Sequence, residues 1–139
     1  MREILFRGKR LDNGEWVEGI PIKTHIGTFV VFEDNPHYCS QYGYMEIDGL
    51  CKVDENIVCQ YIGLTDKNGK KIFDGDVVIE SSYIGIVYFE NGEYKITWRD
   101  LDEHLRHGIA FWVKERQLEV VGNVYDSPDL LSTSSTDSD

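Results

Sequence analysis

"YIGLTDKNGKKIFDGDVV", residues 61–78, holds two glycine turns, a lysine pair and three aspartates, and how it is read decides the fold. A phosphate loop needs G-x-x-x-x-G-K-[ST]. Gly63, Gly69 and Lys70 miss that spacing by one residue, and Lys71 stands where the magnesium-binding hydroxyl belongs. A calcium loop built on Asp66, Asn68, Asp74 and Asp76 fails as well. Glycine falls fourth instead of sixth after Asp66, and the twelfth position is Val77 instead of glutamate. What remains is a double turn. Asn68-Gly69 would place Leu64 opposite Phe73 and Thr65 opposite Ile72, and Asp74-Gly75-Asp76 would turn the chain again into a strand at "VVIE".

Asn-Gly occurs twice more, and each occurrence predicts a two-residue hairpin because both residues tolerate positive φ. Across Asn91-Gly92, Phe89 faces Tyr94, Val87 faces Ile96 and Gly85 faces Trp98 on one apolar side. Tyr88 opposite Lys95 and Ile86 opposite Thr97 make the other side mixed. Across Asn13-Gly14, the same geometry sets Leu11 against Trp16 and Lys9 against Glu18. "GTFVVF" reads as a third strand, residues 33–50 as a long irregular segment broken by Asn-Pro and Asp-Gly, and "CKVDENIVCQYIG" as one strand. One short helix is expected near residues 100–107, with Asp100 as N-cap, Glu103 three positions on, Leu101 and Leu105 on one face, and Gly108 as terminator. "IAFWVKE" and "LEVVGNVYD" read as closing strands. Short strands with turn signals between them imply a mainly β protein, a barrel or sandwich and not a βαβ sheet.

The 139 residues carry 25 acidic against 14 basic groups, a net charge of −11. Such a field repels phosphates and argues against direct nucleic-acid binding. No apolar run reaches the roughly 20 residues of a membrane span, and the amino terminus lacks a signal-peptide pattern. With the unpaired cysteines Cys39, Cys51 and Cys59, this is the expectation for a cytoplasmic protein. From Ser132 the acidic, Ser/Thr-rich end is expected to fray.

No nucleophile elbow, H-E-x-x-H motif or cofactor fingerprint is present, so no catalytic residue, metal ligand or cofactor is assigned. His104 and His107 share a helix face at three-residue spacing, but two ligands do not make a metal site. The binding candidates are Tyr83 and Tyr88. The register turns Tyr88 away from the Val87, Phe89 and Trp98 side, which leaves an aromatic on the outside of a small barrel as an anchor for a protein partner.

"MREILFRGKRLDNGEWVEG", "QYIGLTDKNGKKIFDGDVV" and "VVGNVYDSPDLL" together resemble the YopX family of phage and prophage proteins, in the same order and at comparable positions. The central block carries most of the likeness, with Ile62 where the family usually has Thr. The resemblance implies a β-rich amino-terminal part over residues 1–57, an SH3-like barrel over residues 58–126, and an acidic tail over residues 127–139. It implies no activity. The expectation is therefore a phage-encoded accessory protein, non-enzymatic, working by contact with an unknown protein partner in the cytoplasm of a bacterial host. Two alternatives stand beside it: an acidic decoy that mimics nucleic acid before a host DNA-binding protein, and a self-assembling subunit formed by edge pairing into a homo-oligomer.

Overall fold

A computed structural model describes residues 2–32, 36–99, 108–114 and 116–130. Strands take up 58% of them and helix 7%. The chain divides into two compact units, Met1–Gln60 and Tyr61–Asp139.

In the first unit β1 (Phe6–Arg10), β2 (Trp16–Thr24) and β3 (Gly27–Val31) are joined by β6 (Leu50–Thr65), whose last five residues belong to the second unit. β1 pairs β2, β2 pairs β3, β3 pairs β6, and β6 returns to pair β1. The four antiparallel strands thus form a closed ring, which leaves no edge among them. So narrow a barrel has little room inside. A Cβ on Gly8 would lie 3.0 Å from both Val30 and Val53, and one on Gly19 would overlap the Val31 carbonyl oxygen. Glycine at these two sites is what lets Val30 and Val53 fill the interior.

The β1–β2 register differs from the sequence expectation by two residues: Lys9 faces Trp16 and Gly8 faces Val17. Only Gly14 of the Asn-Gly pair takes positive φ, at 73°. The loop therefore spans Leu11–Gly14, with the Gly14 amide donating to the Arg10 carbonyl at 3.0 Å and Arg10 N to Glu15 O at 2.9 Å. Asn13 Oδ1 accepts from the Glu15 amide at 2.9 Å, so its side chain closes the longer turn. A slip of two leaves every side chain on its expected face.

Residues 33–50 are not irregular throughout. β4 (His37–Cys39) and β5 (Tyr44–Glu46) form an antiparallel hairpin of their own. Its loop repeats the first one, with Gly43 at φ 70° donating to the Cys39 carbonyl at 2.9 Å.

The second unit is an SH3-like arrangement: the meander of β8 (Asp76–Glu80), β9 (Tyr83–Glu90) and β10 (Glu93–Trp98), then the short helix α1 (Ile109–Lys114), then β11 (Glu119–Asn123) returning beside β8. β7 (Lys71–Phe73) pairs with the end of β6. Asn91 and Gly92 both have positive φ, 54° and 84°, and every expected pair from Gly85–Trp98 to Phe89–Tyr94 forms. Beside the turn Glu90 faces Glu93, and Lys95 Nζ bridges both carboxylates at 3.4 and 3.8 Å.

The core gathers Ile62, Ile72, Val78, Val87, Trp112, Leu118 and Val120. Residues 109–114, expected to be a strand, are helical. Ile109, Trp112 and Val113 lie at i, i+3 and i+4, and all three pack on the core, with Trp112 4.8 Å from the Trp98 ring centroid. A five-residue apolar run satisfies either period, and the aromatic contact decides for helix. The helix expected near residues 100–107, and with it His104 and His107, lies outside the described residues.

Beyond β11 the chain turns back. Asn123 Oδ1 accepts from the Tyr125 and Asp126 amides, and Ser127 and Leu130 pack where a Cβ on Gly122 would otherwise stand. The first residues of the expected tail are thus folded against β11.

Candidate functional site

The loop at residues 66–70, the first candidate for a ligand site, turns its polar atoms inward. Asp66 is 7% exposed. Its Oδ1 accepts the amides of Asn68 and Lys70, each at 2.9 Å, and its Oδ2 accepts the Val120 amide of β11 at 2.9 Å. Lys67 N donates to the Leu118 carbonyl at 3.2 Å, and Lys67 Nζ lies 3.7 Å from Glu119. One carboxylate therefore clamps a turn to a strand 54 residues away.

This clamp also explains why the expected pairing of Thr65 with Ile72 is not formed. Asp66 N donates to the Lys70 carbonyl at 2.8 Å and Gly69 N to the Asp66 carbonyl at 3.0 Å. These bonds close a three-residue loop with Gly69 at φ 80°, so that Thr65 faces Lys71 and a bulge follows toward Tyr61–Phe73.

Burial pushes the Asp66 carboxyl up. The three amides and the Lys70 charge outweigh it, and the net shift is downward from the usual aspartate value. Asp66 is thus an ionised acceptor already engaged, poorly suited to be a general acid or a ligand. Asp76 is fully buried, and its Oδ2 accepts the Phe73 amide at 2.8 Å. At the second turn Gly75 N donates to the Val87 carbonyl and Gly75 O accepts from Val124, at 2.8 and 2.9 Å. Among the described residues no group of three or more His, Cys, Asp or Glu is placed to hold a metal ion, and no helix is long and apolar enough to cross a membrane.

Tyr83 and Tyr88 do not share a surface. They sit five positions apart on the regularly paired β9, so their side chains point to opposite faces, roughly 16 Å apart along the strand. Tyr88 does oppose Lys95, as expected, but it is half-buried. The residue standing out at that end is Phe89, 54% exposed and stacked edge-on against Tyr94 at 4.9 Å, although it belongs to the side expected to be core. The ribbon extends past the core there. Val87 is the last fully buried residue of its row.

The most exposed aromatic surface is the β4–β5 hairpin. Tyr38 faces Met45 and Cys39 faces Tyr44. Tyr42, Tyr38, Met45 and Tyr44 are 69, 59, 55 and 48% exposed. Tyr42 and Tyr44 stack at 6.0 Å, and the Tyr44 hydroxyl donates to Glu46 Oε1 at 3.2 Å, which fixes the ring beside a carboxylate. Both faces of the ribbon are open, with only Cys39 half-buried. At about 150–250 Å² per large side chain, these exposures amount to on the order of 500 Å², divided between the two faces of the ribbon.

The breaks at Asn35-Pro36 and Asp48-Gly49 masked this element in the sequence. The signal that could have found it is the spacing of Tyr38, Tyr42, Tyr44 and Met45 within a supposed loop. Loops shed apolar residues unless something uses them.

The family model described as YopX protein matches residues 5–132. No curated protein matches. Among solved structures the chain is similar to protein EF1440 from Enterococcus faecalis, known from its crystal structure. The identity is 20%, the match covers 94% of this chain and 99% of that one, and the TM-score is 0.66. At that identity the likeness concerns the fold.

Proposed function

The chain belongs to the YopX family, and from that premise we propose that it is a phage or prophage accessory protein, a non-enzymatic protein-binding module acting in the cytoplasm of the bacterial host. One observation carries the reading: the β4–β5 hairpin presents Tyr38, Tyr42, Tyr44 and Met45 on a ribbon with both faces open. Tyrosine is favoured at interfaces because it offers a large, stiff, amphipathic contact at low entropic cost. A two-stranded ribbon of this size is marginal by itself in water, so a partner that covers it stabilises it as well.

The charge-mimic reading has less behind it. Mimicry needs outward carboxylates on one face, whereas Asp66, Asp76 and Glu80 are buried. For self-assembly through edges, the closed ring of β1, β2, β3 and β6 offers none, and among the described residues the two-stranded β4–β5 ribbon is the part of the first unit that keeps them.

The test is quantitative affinity capture from host cells carrying the prophage. Wild-type protein would be compared with a Tyr38→Ser/Tyr42→Ser/Tyr44→Ser variant and with a Tyr83→Ser/Tyr88→Ser variant. The reading expects a defined set of proteins to be lost at least tenfold with the hairpin variant and kept with the other. Identical recovery by all three would overturn it.

A further inference from the structure

The β4–β5 ribbon has two edges, and they are not equivalent. Among the described residues neither strand pairs with anything but the other. The Gly43 amide donates to the Cys39 carbonyl, as Gly14 does to Arg10, whose own amide bonds the Glu15 carbonyl. This loop makes Cys39 and Tyr44 a hydrogen-bonding pair. Antiparallel ladders alternate, so the peptide groups of the next pair, Tyr38 and Met45, point outward to the two edges. On β4 the outward row begins at Pro36, which has no N–H to give. On β5 it holds Met45, with both donor and acceptor.

We propose that β5 pairs antiparallel with β5 of a second copy about a twofold axis at Met45, forming a four-stranded sheet in the order β4–β5–β5–β4. A twofold contact must complement itself, and this register does. The Met45 amide and carbonyl bond those of Met45 in the second copy. Tyr38 and Met45 share one face of the ribbon, so that face of the sheet gains an unbroken row of tyrosine, two methionines and tyrosine. On the other face Tyr44 stands opposite Glu46 of the second copy, on both sides of the axis. The Tyr44 hydroxyl already donates to Glu46 Oε1 of its own chain at 3.2 Å. Each carboxylate is then flanked by two phenols and opposes no other carboxylate. A slide that centred the axis on Glu46 would set the two carboxylates face to face, a register excluded by repulsion. Pro36 on the outer strands ends the sheet at two chains, where a receptive β4 edge would continue it into a fibre. Pairing also raises a marginal two-stranded ribbon to four strands. Strands of three residues bury well under the roughly 1,200 Å² of a stable complex, so the dimer is weak and populated toward millimolar concentration. Edge contact leaves both faces of the ribbon to a partner, and the inference goes beyond the partner-binding reading without resting on it.

Sedimentation velocity and amide spectra of the full-length protein from about 0.01 to 1 mM test the pairing. Self-association is expected within that range, with concentration-dependent shifts confined to residues 43–47 and slowed exchange of the Met45 amide but not of the Tyr38 amide. Met45→Pro removes the outward donor, keeps the β4–β5 ladder, and should abolish the dimer. Two side-chain substitutions read the register. Tyr44→Glu, opposite Glu46 of the second copy, should weaken the dimer at least tenfold, whereas Tyr44→Lys should tighten it severalfold at low salt. A monomer at the highest concentration would overturn the proposal, as would an association that Met45→Pro leaves intact or shifts that map to β4. Equal weakening by Tyr44→Glu and Tyr44→Lys would refute the axis at Met45. If the protein stays monomeric while Tyr38→Ser/Tyr42→Ser/Tyr44→Ser loses its captured proteins from host cells, self-pairing is refuted and the partner-binding surface stands. If it dimerises as described while that variant captures normally, the pairing stands and the partner-binding reading falls.

Discussion

Asp66→Asn is the substitution that separates a structural from a ligand-binding role for residues 61–78. The amide keeps the size of the carboxylate and can keep Oδ1 on the Asn68 and Lys70 amides. Its Nδ2 must then face the Val120 amide, donor against donor, where Oδ2 now accepts at 2.9 Å. An unpaired buried donor costs about 1–3 kcal/mol, and two charge-assisted bonds reduced to neutral ones lose roughly 0.5–1 kcal/mol each. The sum is about 2–5 kcal/mol, or a drop of roughly 10–20 °C in Tm for a domain of this size.

The pH dependence follows from the sign of the shift. The folded carboxyl sits below the unfolded one, so its contribution is fully present above the usual aspartate range and is lost as pH falls through the folded value. The other carboxylates titrate in both proteins and cancel in the difference. Urea unfolding of wild type and variant at pH 7 should show the full gap, and the gap should narrow as the pH is lowered below about 4. A gap under about 0.5 kcal/mol at pH 7, or one that stays constant into acid, would refute the clamp.

Other perturbations test the remaining packing. Gly19→Ala drives a methyl into the Val31 carbonyl and should cost about 3 kcal/mol or more, whereas an alanine tolerated in thermal melts would mean that the ring of the first unit is wider than described. Trp112→Ala removes the ring 4.8 Å from Trp98 and should cost about 3–5 kcal/mol, together with the near-ultraviolet dichroism of the coupled indoles. Gly75 has φ 89°, and a Cβ there would meet Tyr125 at 3.2 Å; Gly75→Ala should therefore lower stability by about 1–2 kcal/mol in denaturant melts.

How much of this could be read in the sequence depended on how local the deciding bond is. The Asn91-Gly92 hairpin was legible to the residue because turn and register are settled within eight positions of each other. Asn68-Gly69 carries the same dipeptide, yet its register follows Asp66, whose second oxygen answers to Val120 at a distance no window of sequence covers. At Asn13-Gly14 a side-chain bond to Glu15 was enough to lengthen the loop. The helix at 109–114 is set by Trp112 finding Trp98, a tertiary contact. The likeness to a family was correct, and its most specific text proves to be clamp and turns instead of a site. The Tyr-rich hairpin went unread because turn-forming residues on both sides gave it the look of a loop.

In the proposed division of labour, residues 61–78 hold the fold and the β4–β5 hairpin meets the partner. Measuring Tm and partner capture together on Asp66→Asn and on Tyr38→Ser/Tyr42→Ser/Tyr44→Ser, at a temperature where both are folded, tests it most directly. Asp66→Asn should lose roughly 10–20 °C and keep its captured proteins, while the hairpin variant should hold its Tm within about 2 °C and lose them. The reverse pattern, with Asp66→Asn stable but unable to capture and the hairpin variant capturing normally, would contradict the claim.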